Sequence, residues 1–369
     1  MKKLSSIELS YLVKELQILV GSKVDKIYDF DDEIVFGLHL PNTGKKFLRI
    51  LPGKFIFLTE IKEAAENPSG FAMNLRKHLS NARIREIKQL LPERIVEIIF
   101  EKDKRKKLFV EMFSNGNVVL CDDTEEIISA QIMKSWKDRT VKPKVKYAYP
   151  KSRVNFFNLS FDEMKGVFSS TEKNSIVTSL AIDFGFGGVF AEEICLIANV
   201  DKNLKPNEIN IQDVKKILDA VHTILNKKII SKIFLENGSF LDAVPFSLDI
   251  YKDFESRDFL DYSSALEFYY NEFYLKEKNK DSKSEKEIRK ILAQIKTQEE
   301  SIKELAEKIT EETRKTELIY ENYSILNEIL SELKKASKKF SWQEIRERLK
   351  EHKIVKEVDP KEKSVVVEI

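Results

Sequence analysis

Between residues 288 and 333 the chain carries a seven-residue apolar repeat, and no other feature limits its fold so strongly. Ile288, Ile295, Ile302, Ile309, Thr316, Tyr323 and Leu330 stand at one heptad position. The companion position, at Ile291, Gln298, Leu305, Glu312, Ile319, Leu326 and Leu333, is apolar in five of seven places. That spacing matches the 3.5-residue period of a supercoiled helix, so the segment reads as one long helix with a stripe down one side. A lone helix would hold the whole stripe in water, and a repeat sustained this long demands a partner helix. Gln298, Glu312 and Thr316 interrupt the seam, which suits either a hinge or a polar device that fixes register.

The other parts of the 369-residue chain have room for two or three ordinary cores. Ser5-Ser-Ile-Glu8 is a capping-box pattern, and Leu9, Leu12, Val13, Leu16 and Val20 form the apolar face of an amphipathic helix ending at Gly21. Strand-like runs follow at 24–30, 34–40, 47–50 and 55–58, with a hairpin turn at Pro41-Asn-Thr-Gly44. After a helix around 70–80 come strand-like runs at 95–100, 108–113 and 117–120. Asn115-Gly116 reads as a two-residue hairpin turn with positive φ at both positions. Residues 142–150 are a basic, proline-marked linker, and Ser160-Phe-Asp-Glu163 caps the first of several short helices over 160–228. Strand-like pieces return at 229–235 and 240–248, Ser341-Trp-Gln-Glu344 caps a late helix, and 365–367 suggests a strand.

Charge is distributed unevenly. The net +2 arises from an excess of eight positive charges in residues 71–153, a balanced 1–70 and an excess of six negative charges in 154–369. A cationic stretch on an otherwise balanced protein is the footprint of a nucleic-acid face, though a lysine-rich solvated surface has the same composition. Cys121 and Cys195 can build neither a disulfide framework nor a four-thiolate zinc site. No run of about eighteen apolar residues and no apolar signal region at Met1-Lys-Lys-Leu is present, so a cytoplasmic protein with no membrane partner is expected. His39, His78, His222 and His352 are scattered, and no phosphate-loop, zinc-protease or nucleophile–base spacing occurs; no cofactor and no metal are expected.

Candidate contacts cluster at 71–94, where Phe71-Ala-Met-Asn-Leu-Arg76-Lys77-His78-Leu79 and Ala82-Arg83-Ile84 precede Leu91-Pro92-Glu93-Arg94-Ile95. Arg76, Lys77, His78 and Arg83 suit phosphate oxygens, although neighbours on a helix face different ways. In Glu93-Arg94 the arginine offers a planar fork for phosphate and the carboxylate accepts from a base edge or an amine; a plain surface ion pair is the alternative. Glu8 is either a ligand contact or the third member of its capping box. Glu111 shares a strand face with Phe109 and Phe113. Gly185-Phe-Gly-Gly188 lies between helices, so it is no dinucleotide fingerprint; glycines there let backbone amides reach a phosphate at the next helix N-terminus, or simply make a sharp turn.

The 71–94 block resembles the N-terminal domain of the NFACT family, ribosome-quality-control factors formerly called fibronectin-binding proteins. The likeness continues through Gly185-Phe-Gly-Gly-Val-Phe-Ala-Glu-Glu-Ile-Cys195, Ala265-Leu-Glu-Phe-Tyr-Tyr270 and Leu318-Ile-Tyr-Glu-Asn-Tyr323. It implies an α+β fold class: a glycosylase-like NFACT-N domain over 1–150 and a helix–hairpin–helix domain over 151–230. A strand-rich return segment over 231–263 would pack near the first domain. A coiled-coil arm would occupy 264–335 and the start of a middle segment 336–369. The resemblance further implies a large ribosomal subunit and its rRNA as partner, with tRNA held by Glu8, Arg76, Lys77, His78, Arg83, Glu93, Arg94 and Glu111. Gly185, Gly187 and Gly188 would supply backbone phosphate contacts. Aminoacyl-tRNA recruitment for template-free tail addition is part of that picture, and the chemistry belongs to the ribosome, so no enzyme is expected.

Family members usually carry Asp-Arg where this chain has Glu93-Arg94, Asp at Glu8, and Gly-Arg at Ser114-Asn115. Relatives also extend into a segment that returns along the arm and an NFACT-R RNA-binding domain. Without these, the 285–335 seam is expected to pair with a second copy or to fray. The rival reading is a glycosylase-shaped DNA- or RNA-binding module without catalysis. Glycosylases of that shape resemble one another in beginning Pro-Glu after the initiator Met, whereas Lys2 and Lys3 stand here, so lesion excision is not expected.

Overall fold

Helix α1 (Ser6–Leu16) begins where the capping pattern places it. Ser5 Oγ accepts the Glu8 amide at 3.2 Å, and Glu8 Oε2 accepts the Ser5 amide at 2.7 Å. In this computed structural model all residues are described except 42–43, 62–67, 136–138, 151–153, 351 and 369, and the side chains of 279–287 and 289. The two sides of α1 serve different cores. Leu9, Leu12, Val13 and Leu16 enter a first core, while Ile7 and Tyr11 enter a second.

The first core is enclosed by nine antiparallel strands in the order β4-β3-β2-β1-β5-β6-β7-β8-β9. They are β1 (Lys23–Phe30), β2 (Glu33–Leu40), β3 (Gly44–Leu51), β4 (Phe55–Thr59), β5 (Arg83–Gln89), β6 (Ile95–Glu101), β7 (Arg105–Glu111), β8 (Asn117–Asp122) and β9 (Ile127–Ala130). Between β1 and β5 the only registered pair is Lys23 with Arg83, yet Phe36 of β2 stacks on Phe100 of β6 at 5.8 Å. The two halves of the sheet therefore face each other across shared apolar side chains. Helix α2 (Gly70–Leu79) packs on β1 and β9 through Ala72, Leu75 and Leu79.

Strand β5 has no counterpart in the sequence reading. Its apolar residues Ile84 and Ile87 are three apart, which breaks strand alternation. A bulge between Ile84 and Glu86 turns both inward, and both are buried. The expected two-residue turn at Asn115-Gly116 is also different. Glu111 pairs with Asn117, so five residues lie between the strands, and positive φ falls on Ser114 (53°) and Gly116 (72°). A Cβ on Gly116 would stand 2.0 Å from the Gly53 nitrogen, so close backbone approach fixes this glycine. The turn expected at Pro41-Asn-Thr-Gly44 includes residues outside those described.

Residues 142–150 are not a free linker. After the short pair β10 (Lys134–Ser135) and β11 (Thr140–Val141), the Ile127 amide donates to Val145 O at 2.9 Å. Tyr147 stacks on Phe109 at 4.0 Å and closes a small apolar layer on the outer face of the sheet. A basic composition concealed one aromatic anchor.

The second core is helical: α3 (Phe161–Ser170), α4 (Ile176–Ile182), α5 (Gly188–Ala198) and α6 (Ile211–Leu225). A three-stranded sheet, β12 (Ser231–Glu236), β13 (Ser239–Val244) and β14 (Glu255–Phe259), joins it to the first. Alternation sends Ile233 and Ala243 into the first core, and Phe234 and Val244 into the second. Strand β14 is an edge strand with almost no buried side chain, so no alternation announced it. Helix α7 (Tyr262–Tyr269) and a π-helical turn (Tyr270–Tyr274) follow. Ala265, Leu266, Tyr269, Tyr270 and Tyr274 are buried in the first core, so the stretch 264–274 expected to open the arm is part of the globular unit Met1–Lys278 instead.

The second unit, Asn279–Ile369, contains most of helix α8 (Leu275–Glu321), then α9 (Tyr323–Ala336), α10 (Trp342–Arg348) and the hairpin β15 (Val355–Asp359) and β16 (Ser364–Val367). Ser341 caps α10 through the expected reciprocal pattern with Glu344. The seam breaks at Asn322. Along α8 it is open to solvent: Ile288, Ile302 and Ile309 are 55%, 67% and 66% exposed. No described helix is long and apolar enough to cross a membrane.

Candidate functional site

A cleft of about 580 Å³ opens where the first six residues pass between the two cores. Its floor is ionic and buried. Lys2 Nζ donates to Glu8 Oε1 and, at 2.5 Å, to Asp242 Oδ1, with all three residues at most 7% exposed. The Tyr262 hydroxyl lies 3.1 Å from Glu8 Oε1 and 2.9 Å from the Ala243 carbonyl, and the Tyr251 hydroxyl donates to Asp242 Oδ2 at 3.2 Å. Burial works against the Lys2 charge, but Asp242 and Glu8 hold its pKa above the ordinary lysine value. Burial and the same carboxylates push both phenols upward, so they remain proton donors.

One wall is the turn between β5 and β6. Ser6 Oγ donates to Pro92 O at 2.5 Å, and the Gln89 amide nitrogen lies 2.8 Å from Ser6 Oγ and 3.0 Å from Glu93 O. Arg94 reaches the Leu4 carbonyl at 3.4 Å, while its own carbonyl accepts the Met112 amide at 2.8 Å. Glu93 and Arg94 are thus held half-buried at the cleft wall, as the two residues that directly precede β6.

The opposite wall is the turn from α4 to α5. Gly187 takes φ 81° as the N-cap of α5 and offers no side chain to the helix end. No acceptor among the described residues takes the amides of Gly188, Val189 or Phe190, and a Cβ at Gly187 or Gly188 would meet nothing within 4 Å. The helix end therefore presents donors and the positive end of its dipole to open space beside the cleft. Such an arrangement suits an anionic oxygen.

Glu8, Glu93, Arg94, Gly185, Gly187 and Gly188 thus meet in one cleft, and the other candidates do not. Arg76 Nε donates to Ile27 O at 2.6 Å, Lys77 is exposed, and Arg83 donates to Gly21 O at 3.1 Å, all on α2 and β5. Burial, then Lys106 and Lys77, keep the His78 pKa below its usual value. Glu111 is 4% exposed, and its Oε1 accepts from Arg139 and, at 2.8 Å, from Tyr147. Glu8 proves to be both the capping-box acid and a member of the cleft floor. Lys2, Asp242, Tyr251 and Tyr262 escaped the sequence reading. Nothing local marks a lysine whose carboxylate partner is 240 residues away. Among the described residues no cluster of potential metal ligands occurs, and both cysteines are buried and unpaired.

The chain is 31% identical over 371 aligned positions to a protein of Methanocaldococcus jannaschii named archaeal Rqc2 homolog aRqcH. The match covers 95% of this chain and 55% of that protein. It is 29% identical over 225 positions to the human ribosome quality control complex subunit NEMF, covering 58% of this chain and 21% of the human one. The chain therefore spans about half, or less, of the length of these relatives. Among solved structures, the fibrinogen binding protein from Staphylococcus aureus superposes with a TM-score of 0.61 at 21% identity, covering 72% of this chain and 98% of that one; this shows a shared fold. The family model for the NFACT N-terminal and middle domains matches residues 5–366, so the chain belongs to the NFACT family.

Proposed function

We propose that this chain is the tRNA- and ribosome-holding part of a ribosome-quality-control factor. The observation that carries this reading is the convergence of Glu8, Glu93, Arg94 and the 185–188 turn on one cleft. In it the amides of Gly188, Val189 and Phe190 receive a phosphate of the RNA backbone, and the Arg94 guanidinium grips a second anionic oxygen. Glu93 accepts from a base edge or an amine. Arg76, Lys77 and Arg83, with His78 beside them as a neutral donor, offer a separate contact area for the RNA backbone, while Glu111, held at Oε1 by Arg139 and Tyr147, is left with a scaffolding role.

The relatives' names support a ribosome-quality-control setting; within it, our reading puts the chain on an obstructed large ribosomal subunit carrying peptidyl-tRNA. There the chain positions aminoacyl-tRNA for template-free extension, and the ribosome makes the peptide bond. Its contribution is placement rather than bond chemistry. The exposed α8 seam supports pairing with a second copy when no other helix covers it.

A salt titration of tRNA against duplex DNA, read by fluorescence anisotropy, tests the reading. Preference for tRNA is expected at every salt concentration, and Arg94→Glu should weaken tRNA binding by about tenfold or more and abolish co-sedimentation with subunits carrying peptidyl-tRNA. Equal affinity for duplex DNA would favour the glycosylase-shaped DNA-binding alternative. Unchanged binding by Arg94→Glu would remove the cleft from the proposal.

A further inference from the structure

We propose that Lys2 is a built-in cation filling an ammonium cage on the cleft floor, and that its presence turns the cleft from an amine-binding site into one that accepts phosphate. The second half of this statement rests on the RNA reading above; the cage does not.

Three separate parts of the chain build the cage: Glu8 on α1, Asp242 on β13 with Tyr251 just beyond it, and Tyr262 on α7. The main chain around the lysine is fixed as well. The Lys2 amide donates to the Tyr269 hydroxyl at 2.8 Å, and the Leu4 amide donates to Lys54 O at 2.9 Å. The ammonium is therefore delivered by an anchored strand of chain rather than by a loose terminus. Two carboxylates buried this deeply need a cation beside them. Removing the lysine would leave two negative charges at the floor with an empty channel the width of an alkyl chain. The ligand that fits such a space is a primary alkylammonium. With Lys2 in place one of those charges is cancelled, and the exposed Lys3 and Arg94 then offset the other together with Glu93. A phosphate can approach the α5 amides only in that second condition.

The test is chemical rescue of Lys2→Ala in the full chain. Thermal unfolding is followed with and without n-butylammonium, and with tetramethylammonium, which cannot donate hydrogen bonds, at equal ionic strength. The expected result is that n-butylammonium raises the Tm of Lys2→Ala and leaves the wild type and the neutral triple variant Lys2→Ala/Glu8→Gln/Asp242→Asn unmoved. Affinity of Lys2→Ala for tRNA should fall about tenfold and recover in part with n-butylammonium. If Lys2→Ala does not fold alone, folding restored by n-butylammonium supports the cage. Failure to restore it, while the triple variant folds, overturns the cage. No ammonium response, or the same response in the wild type, overturns it too. Full tRNA affinity in folded Lys2→Ala without ammonium overturns the switch from amine to phosphate. If the wild type binds no tRNA, the functional reading fails while the ammonium arm still decides the cage.

Discussion

Replacing Glu111 by Gln separates an RNA contact from a structural ion pair. Glu111 Oε1 receives Arg139 and the Tyr147 hydroxyl, and Tyr147 in turn stacks on Phe109 and has the Arg139 guanidinium 5.0 Å above its ring. Burial opposes the Arg139 charge, but Glu111 outweighs it and raises the guanidinium pKa; burial and Glu111 push the Tyr147 phenol up. Glutamine keeps an acceptor for Tyr147 and removes the charge facing Arg139. Breaking a fully buried pair costs about 3–5 kcal/mol, and since the Arg139 side chain is 17% exposed, the loss here should be about 2 kcal/mol. For a unit of this size that lowers Tm by roughly 4–8 °C. Adding Arg139→Gln removes the stranded cation, so a double-mutant cycle should return a coupling of about 1 kcal/mol or more. The expected outcome is lower stability by thermal and urea unfolding, with tRNA affinity within about twofold of wild type, because the Glu111 carboxylate turns to Arg139 and Tyr147 and lines no part of the cleft. Unchanged Tm together with lost RNA binding would refute the placement of Glu111 in the scaffold.

His78 should titrate below its ordinary value in an NMR pH series, and Lys106→Ala should move it upward; a value at or above the usual 6.5 would contradict the packing of α2 on the sheet. The sign follows from linkage: with the folded pKa depressed, the unfolded chain binds more protons, so this group lowers stability as pH falls below 6.5. Gly116→Ala meets both a φ of 72° and a Cβ position 2.0 Å from Gly53 N, and should destabilise by about 3 kcal/mol or more in urea unfolding. Ile302→Lys with Ile309→Lys should abolish self-association seen by sedimentation at micromolar concentration. A wild-type monomer with α8 fully helical would instead show that the seam needs no second copy.

Local signals in the sequence were sufficient wherever one element solved its own problem. The Ser5, Ser160 and Ser341 capping boxes form as their spacing requires, and the strand-like runs at 34–40, 47–50, 95–100 and 117–120 fall within β2, β3, β6 and β8. The misses occur where tertiary context changes the rule. A bulge in β5 turns residues three apart onto one face, an edge position lets β14 form with a single apolar residue, and a single stacking partner converts 142–150 from linker to packed chain. Tyrosines at the start of the expected arm were equally ambiguous. Tyr269, Tyr270 and Tyr274 would suit a helix seam, and only the presence of Phe55 and Phe57 opposite them assigns them to the sheet core.

The cleft could not have been read by spacing at all, because its parts lie at residues 1–8, 92–94, 185–190 and 240–251. What sequence could supply was a list of chemically suitable groups, and it placed a buried scaffold acid, Glu111, beside true cleft residues. Geometry sorts them by what their hydrogen-bonding capacity is already spent on. Glu111 has given its charge to Arg139, and Glu8 has given one oxygen to Lys2 and the other to the Ser5 amide. The amides opening α5 have given theirs to nothing within the described chain. A ligand must pair with groups that are still unspent, so it enters against the glycine turn, above a floor whose own charges hold one another in place.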